Sequence, residues 1–241
     1  MRNHDRYRLF VVAAKALFLA ALPFLAFGFG IQVLELRNRL SVSSSRLWLF
    51  LLGAVLFLPV WLLGKRVSWQ SWQFVCTIEH ELTHAVAGIP FLFFPKGIRA
   101  TATQGGHVKQ AWIAPVILVP LYGPGTILST LAPYFLPTSS YLLIALGVFF
   151  LDTEARWFSI TLGSLTTFHI VSTWAETNYR QPDIHEAGLV FSTLFLPVAN
   201  LIALGGIWAF VADGPRGFLR YWPEAFWRSV DAATRVAGLV A

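Results

Sequence analysis

Long uncharged runs alternate with short polar breaks along almost the whole chain. Leu9 to Leu34 is apolar apart from Lys15 and Gln32, and Leu47 to Leu63 carries no charge. Val67 to Phe94 is apolar on both flanks of a polar centre. Ala111 to Leu151 is again free of charge, but Pro115, Pro120, Pro124, Pro133 and Pro137 interrupt it, which predicts one kinked span and the start of another. Trp157 to Trp174 holds His169 within an apolar segment, and Ala187 to Ala212 closes the series. A helix needs about twenty apolar residues to cross a bilayer. The pattern therefore predicts an all-α protein, a polytopic transmembrane helix bundle of about six spans over residues 1–212. Residues 213–241, with Arg216, Arg220, Arg228 and Arg235, read as an amphipathic C-terminal tail, a membrane-surface helix from Pro223. One stretch breaks the helical pattern. Pro95 to Gln110 is rich in glycine and charge, and Ile98 to Thr103 alternates weakly, which predicts a short loop or β-hairpin.

Composition sharpens the membrane reading. Of 241 residues, 56% are hydrophobic and 12% charged, with a mean hydropathy of +0.62. A soluble domain has roughly twice that share of charge. The net charge of +6 is spread over termini and loops, which suits anionic headgroups and offers no basic run for nucleic acid. Cys76 is the only cysteine, so neither a disulfide nor a cysteine-based zinc site is available. The basic start, Met1 to Arg8, precedes the first apolar run with no clear small-x-small cleavage site after it, and reads as the lead into an uncleaved first span.

Candidate chemistry is concentrated at Ile78-Glu79-His80-Glu81-Leu82-Thr83-His84. On a helix, His80 and His84 lie one turn apart on the same face, where two imidazoles grip one zinc ion (Zn2+). Glu81 beside them is placed to take a proton from water. A catalytic zinc needs a third protein ligand and one open position. The candidates are Asp183, Asp152, His107, His169, Glu176 and His185. A carboxylate is favoured by charge: zinc, one carboxylate and one hydroxide sum to zero, which suits a site at membrane depth. Asp183 leads because it follows Pro182 at the start of the last apolar run, although the same position also suits a helix cap. Asp152 has an alternative as a partner of Arg156, His107 as a solvated loop residue and His169 as a neutral group bonded between helices. Glu176 and His185 also read as residues orienting a ligand, or as solvated loop residues, and Glu79 and Thr83 as helix-packing groups.

These residues resemble the site-2 protease family of intramembrane zinc metalloproteases, in its compact bacterial branch. The resemblance rests on His80-Glu81-Leu82-Thr83-His84 followed by Ala85-Val86-Ala87-Gly88 in an apolar segment, then Gly105-Gly106-His107-Val108 and Pro182-Asp183. It covers Val67 to Ala212. It implies that His80, His84 and an aspartate bind zinc and that Glu81 is the general base. It also implies an integral, multi-pass protein of the bacterial inner membrane that cleaves membrane protein or peptide substrates. The chain departs from the better-known members: Leu151-Asp152 is followed by Thr153 rather than glycine, Asn-Pro-Asp-Gly is missing, and no peptide-binding module is visible. Two other classes compete. One is a transporter or channel with His84, His169 and Asp183 along an ion path. The other is a protease-like scaffold without catalysis, against which the intact Glu81 speaks.

Overall fold

A computed structural model describes the chain except residues 1–2, 41–43, 102–104, 114–117, 119–120, 178–180 and 241. It is mainly helical with one small sheet. In order come α1 (Asn3–Arg39), α2 (Ser45–Val67), α3 (Trp69–Gly88), β1 (Phe93–Thr101) and β2 (Gly105–Trp112). They are followed by α4 (Tyr122–Leu131), α5 (Thr138–Phe150), α6 (Arg156–Glu176), α7 (Pro182–Ala187) and α8 (Leu189–Val240). Among the described residues, three helices are long and apolar enough to cross a membrane: Arg8–Arg39, Ser45–Val67 and Leu189–Gly238. Helices α4 and α5, broken by the turn around Pro133 and Pro137, meet that test only as a joined pair. This gives up to four spans by length and composition, against the six expected; α3 and α6 do not qualify. Pro115 and Pro120, expected to kink the central run, lie outside the described residues, as does the start of the basic N-terminus.

The chain forms two compact units. The first comprises Met1–Ala20, Leu63–Thr138 and Ser172–Leu196. Its centre is α3, which touches β1, β2 and α4. Ser68 starts this helix as N-cap, accepting from the backbone N–H of Ser71 at 3.4 Å. The polarity of α3 is inverted relative to a soluble helix. Glu79, Glu81, Thr83 and His84 are buried, while Phe74, Val75 and Ile78 are exposed. Such an arrangement fits a helix that turns its polar groups toward protein and its apolar side toward lipid. Thr83 Oγ1 donates to the carbonyl of Glu79 at 2.8 Å, a bond within its own helix. Pro90 ends α3 through a 3-10 turn, and Leu92 takes a left-handed conformation (φ 64°) that starts the hairpin. Strands β1 and β2 pair antiparallel from Phe93↔Trp112 to Thr101↔Gly105, with an irregularity between Pro95 and Gly97. Proline has no N–H for the ladder, which accounts for the break there. The hairpin thus takes in Ile98 to Thr101 of the alternating segment; residues 102–103 lie outside the described part.

The second unit comprises Ala21–Leu62, Ser139–Val171 and Pro197–Ala241. Its core gathers Phe50, Ile144, Phe158, Leu162, Ile207 and Phe210. Ser164 of α6 donates to the carbonyl of Gly53 in α2 at 2.9 Å, and Ser140 of α5 meets Thr166 of α6 at 3.1 Å. Small hydroxyl residues at such crossings tie apolar helices together without a charge. Helix α8 is not a rod. Gly214 has φ 66° and ψ −153°, a conformation open to glycine, and the chain reverses there. Tyr221 beyond the turn donates to the carbonyl of Ile202 before it at 3.2 Å, so the two arms lie side by side. The returning arm includes the stretch from Pro223 expected as a surface helix, and part of it packs within this unit. Tyr221, Ala225 and Ser229 of the returning arm are buried. Arg228 forms a two-pronged ion pair with Glu35 of α1 at 2.6 and 2.7 Å. Part of the charge that makes the tail look amphipathic is therefore satisfied inside the unit.

Candidate metal centre

Helix α3 presents His80 and His84 on one face, as spacing one turn apart requires, with ring centroids 4.8 Å apart. Short helix α7 supplies the third group. Pro182 occupies its first turn, where a missing N–H costs nothing, and Gly188 (φ 95°) separates it from α8. Asp183 therefore does not cap the last long helix. The N-cap of α7 is Gln181, and the Asp183 carboxylate turns toward α3 instead.

Asp183 Oδ2 lies 3.3 Å from His80 Nε2 and 3.5 Å from His84 Nε2. Zinc bonds of about 2.0–2.1 Å in a tetrahedron imply ligand atoms roughly 3.3 Å apart. Two sides of the triangle match that edge, and all three ligand atoms lie within 4.8 Å of one another. Among the described residues this is the one group of histidine and acidic side chains gathered closely enough to hold a metal ion. The donor set, two imidazole nitrogens and a carboxylate oxygen, suits zinc and other first-row divalent metals.

The groups behind the ligands fix their orientation. His80 Nδ1 is 3.1 Å from Glu176 Oε2, at the end of α6. His84 Nδ1 is 2.7 Å from the carbonyl of Ser129 in α4. Both Nδ1 atoms face acceptors, which favours Nδ1–H and makes Nε2, whose proton points to Asp183 in the metal-free protein, the atom that would turn to a metal once that proton is lost. The backbone of His84 is held as well: Gln110 Nε2 of β2 donates to its carbonyl at 2.8 Å, and Ser129 Oγ lies 3.1 Å from the same oxygen. Tyr134, itself buried, donates to Asp183 Oδ2 at 3.2 Å. The Asp183 carboxyl feels two opposed effects. Burial pushes it up, but hydrogen bonds from His80 and His84 and their charge hold it well below the usual carboxylate range.

Glu81 is buried and lines a cavity of about 570 Å3 together with the three candidate ligands. The hairpin closes one wall of it. A Cβ on Gly106 would fall 2.8 Å from Glu81 Oε1 and 2.7 Å from the carbonyl of Arg99, so only glycine lets β2 approach this closely. His107, next along β2, is exposed and lines the same cavity without joining the ligand group. His185 is exposed on α7. Asp152 is exposed, and its Oδ1 accepts from the backbone of Glu154 at 2.9 Å. His169 is buried in α6 and joins no such group. The structure thus brings together His80, His84 and Asp183, with Glu81 in the same cavity and Glu176 behind His80. Ser129, Gln110 and Tyr134 were not singled out by sequence. A serine and a tyrosine in an uncharged run give no signal, whereas Gln110 ends the polar stretch that follows the motif.

No family model matches the chain, and no curated protein or solved structure matches it.

Proposed function

We propose that this chain is an intramembrane zinc metallopeptidase that hydrolyses peptide bonds of membrane protein or peptide substrates. The observation that carries the reading is the convergence of His80 Nε2, His84 Nε2 and Asp183 Oδ2 from α3 and α7, with Glu81 in the same cavity. The resemblance to site-2 proteases adds the intramembrane setting, and the bacterial inner membrane as location rests on that resemblance alone. Exposed apolar side chains on the long helices, such as Leu17 on α1 and Val60 on α2, are in keeping with a lipid surround.

Zinc, when bound, would polarise a substrate carbonyl and lower the pKa of water to about 7. His80, His84 and Asp183 would hold it, with Glu176 and the Ser129 carbonyl keeping the rings in register. Glu81 takes the proton of the attacking water and returns it to the leaving amine nitrogen. Gly106, having no side chain, leaves the room this carboxylate occupies beside the hairpin. Three protein ligands would leave zinc one coordination position for water.

The test uses purified full-length protein and a fluorogenic apolar peptide. The reading expects one zinc per chain, cleavage abolished by a chelator and restored by zinc, and full zinc content without cleavage in Glu81→Gln. Zinc bound with no cleavage of any membrane substrate, together with zinc-independent ion flux in vesicles, would replace it with the transporter reading.

A further inference from the structure

The second unit contains a cavity of about 300 Å3 where the end of α1 meets the reversal of α8. Its lining includes Gln32 and Arg39 of α1, and Asp213, Arg216, Arg220 and Glu224 of α8. Arg39 pairs with Asp213 at 3.3 Å and Arg220 with Glu224 at 3.1 Å. No ion pair is seen for Arg216 among the described residues. Three guanidiniums against two carboxylates leave one net positive charge.

One lining residue is both polar and buried. Gln32 is 2% exposed, inside the apolar run of α1. Its Nε2 donates to Glu224 Oε2 at 2.7 Å, but among the described residues its Oε1 has no hydrogen-bond partner. A buried carbonyl without a donor is unfavourable, and such an atom marks a place where a partner group belongs. The depth also carries information. The apolar run of α1 ends at Leu34, and that of α8 ends at Ala212 just before the turn. Both flanks of the cavity are where hydrocarbon-compatible sequence gives way to charge, the level of lipid headgroups.

We propose that this cavity binds the headgroup of a phospholipid that combines a phosphodiester with a hydroxyl. The phosphodiester oxygens sit on the guanidiniums of Arg216 and Arg220, and the headgroup hydroxyl donates to Gln32 Oε1. Charge selects among anions. A phosphodiester carries one negative charge and balances the lining, whereas a phosphate monoester carries about −1.5 to −2. Choline offers no donor for Gln32. An ethanolamine headgroup offers one, but brings no net charge to answer the unpaired arginine. A glycerol headgroup meets both requirements. The bound lipid holds the returning arm of α8 against α1 at the turn, and the site is independent of the metal centre.

The experiment uses delipidated full-length protein in detergent and native mass spectrometry, with phosphatidylglycerol, phosphatidylethanolamine, phosphatidylcholine or inorganic phosphate added separately. Phosphatidylglycerol is expected to bind about tenfold tighter than phosphatidylcholine. Arg216→Gln lowers that affinity about fivefold, the effect of one basic residue near anionic lipid. Gln32→Leu lowers it to a similar extent without changing phosphatidylcholine binding, and Arg216→Lys retains most of it. Arg216 is exposed, so its variants fold even if Gln32→Leu does not. Equal binding of all lipids, or phosphatidylglycerol binding untouched by Arg216→Gln, overturns the site. Ethanolamine lipid binding as tightly as glycerol lipid overturns the hydroxyl assignment. Displacement of phosphatidylglycerol by millimolar inorganic phosphate overturns the lipid in favour of free phosphate.

Discussion

Glu176 provides the sharpest test of how the candidate metal centre is held. Its Oε2 accepts from His80 Nδ1 at 3.1 Å, and the carboxylate is only 29% exposed, so solvent screens the contact partially. The bond does three things: it fixes the Nδ1–H tautomer, sets the ring plane and raises the basicity of Nε2. Removing such a partner costs about 10–100-fold in metal affinity. Glu176→Gln keeps an acceptor oxygen at the same reach but loses the charge. It therefore belongs at the low end, about tenfold or ~1.4 kcal/mol. Glu176→Ala frees the ring and belongs toward the high end, about 50-fold. The assay is competition for zinc against a chromophoric chelator, on purified protein at fixed pH, with circular dichroism to verify folding. The ordering matters as much as the size. Affinity within twofold of the parent in both variants would refute the idea that this carboxylate orients His80. An equal large loss in both would assign the effect to charge alone.

Other outcomes follow from the same geometry. Gly106→Ala places a methyl group 2.8 Å from Glu81 Oε1, so peptide cleavage should fall about 100-fold with zinc content unchanged, as expected for a displaced base; metal analysis beside kinetics checks this. Tyr134→Phe removes one hydrogen bond to Asp183 Oδ2 and should weaken zinc binding less than tenfold, measured by the same chelator competition. In the metal-free protein the folded pKa of Asp183 is depressed below its ordinary value of 3.8, so its contribution to stability is fully present above that pH and is lost as pH falls further. Acid unfolding followed by circular dichroism should show this loss below about pH 4, and Asp183→Asn should flatten it.

The site was legible in the sequence to the extent that its chemistry is local. His80, Glu81 and His84 lie within two turns of one helix, so their spacing alone places the two rings together. Asp183 was reached through residue type, a preceding proline and charge balance, although the expected cap of the last long helix did not form. What sequence did not reveal is contact across elements. The Ser129 carbonyl that orients His84 is a backbone atom, which any residue type would supply, and Gln110 and Tyr134 act through partners far away in the chain. The fold was readable at the level of apolar runs and of the glycine-rich stretch that became the hairpin. The count of spans was not. Three helices, or four with α4 and α5 joined, meet the length and composition test, and α3 falls short of it because its inward face is polar. Hydrophobic length does not reveal that α8 doubles back, because the reversal depends on a positive φ at Gly214 followed by Pro215.

X-ray absorption at the zinc edge on purified, zinc-loaded protein reads out the proposed ligand set itself. The expected spectrum has two imidazole nitrogens and a carboxylate oxygen at about 2.0–2.2 Å, plus one further light atom. Asp183→Asn should change the oxygen shell while leaving both imidazole signals. A protein that binds no zinc, or a spectrum identical in parent and Asp183→Asn, would contradict the three-ligand centre and the peptidase built on it.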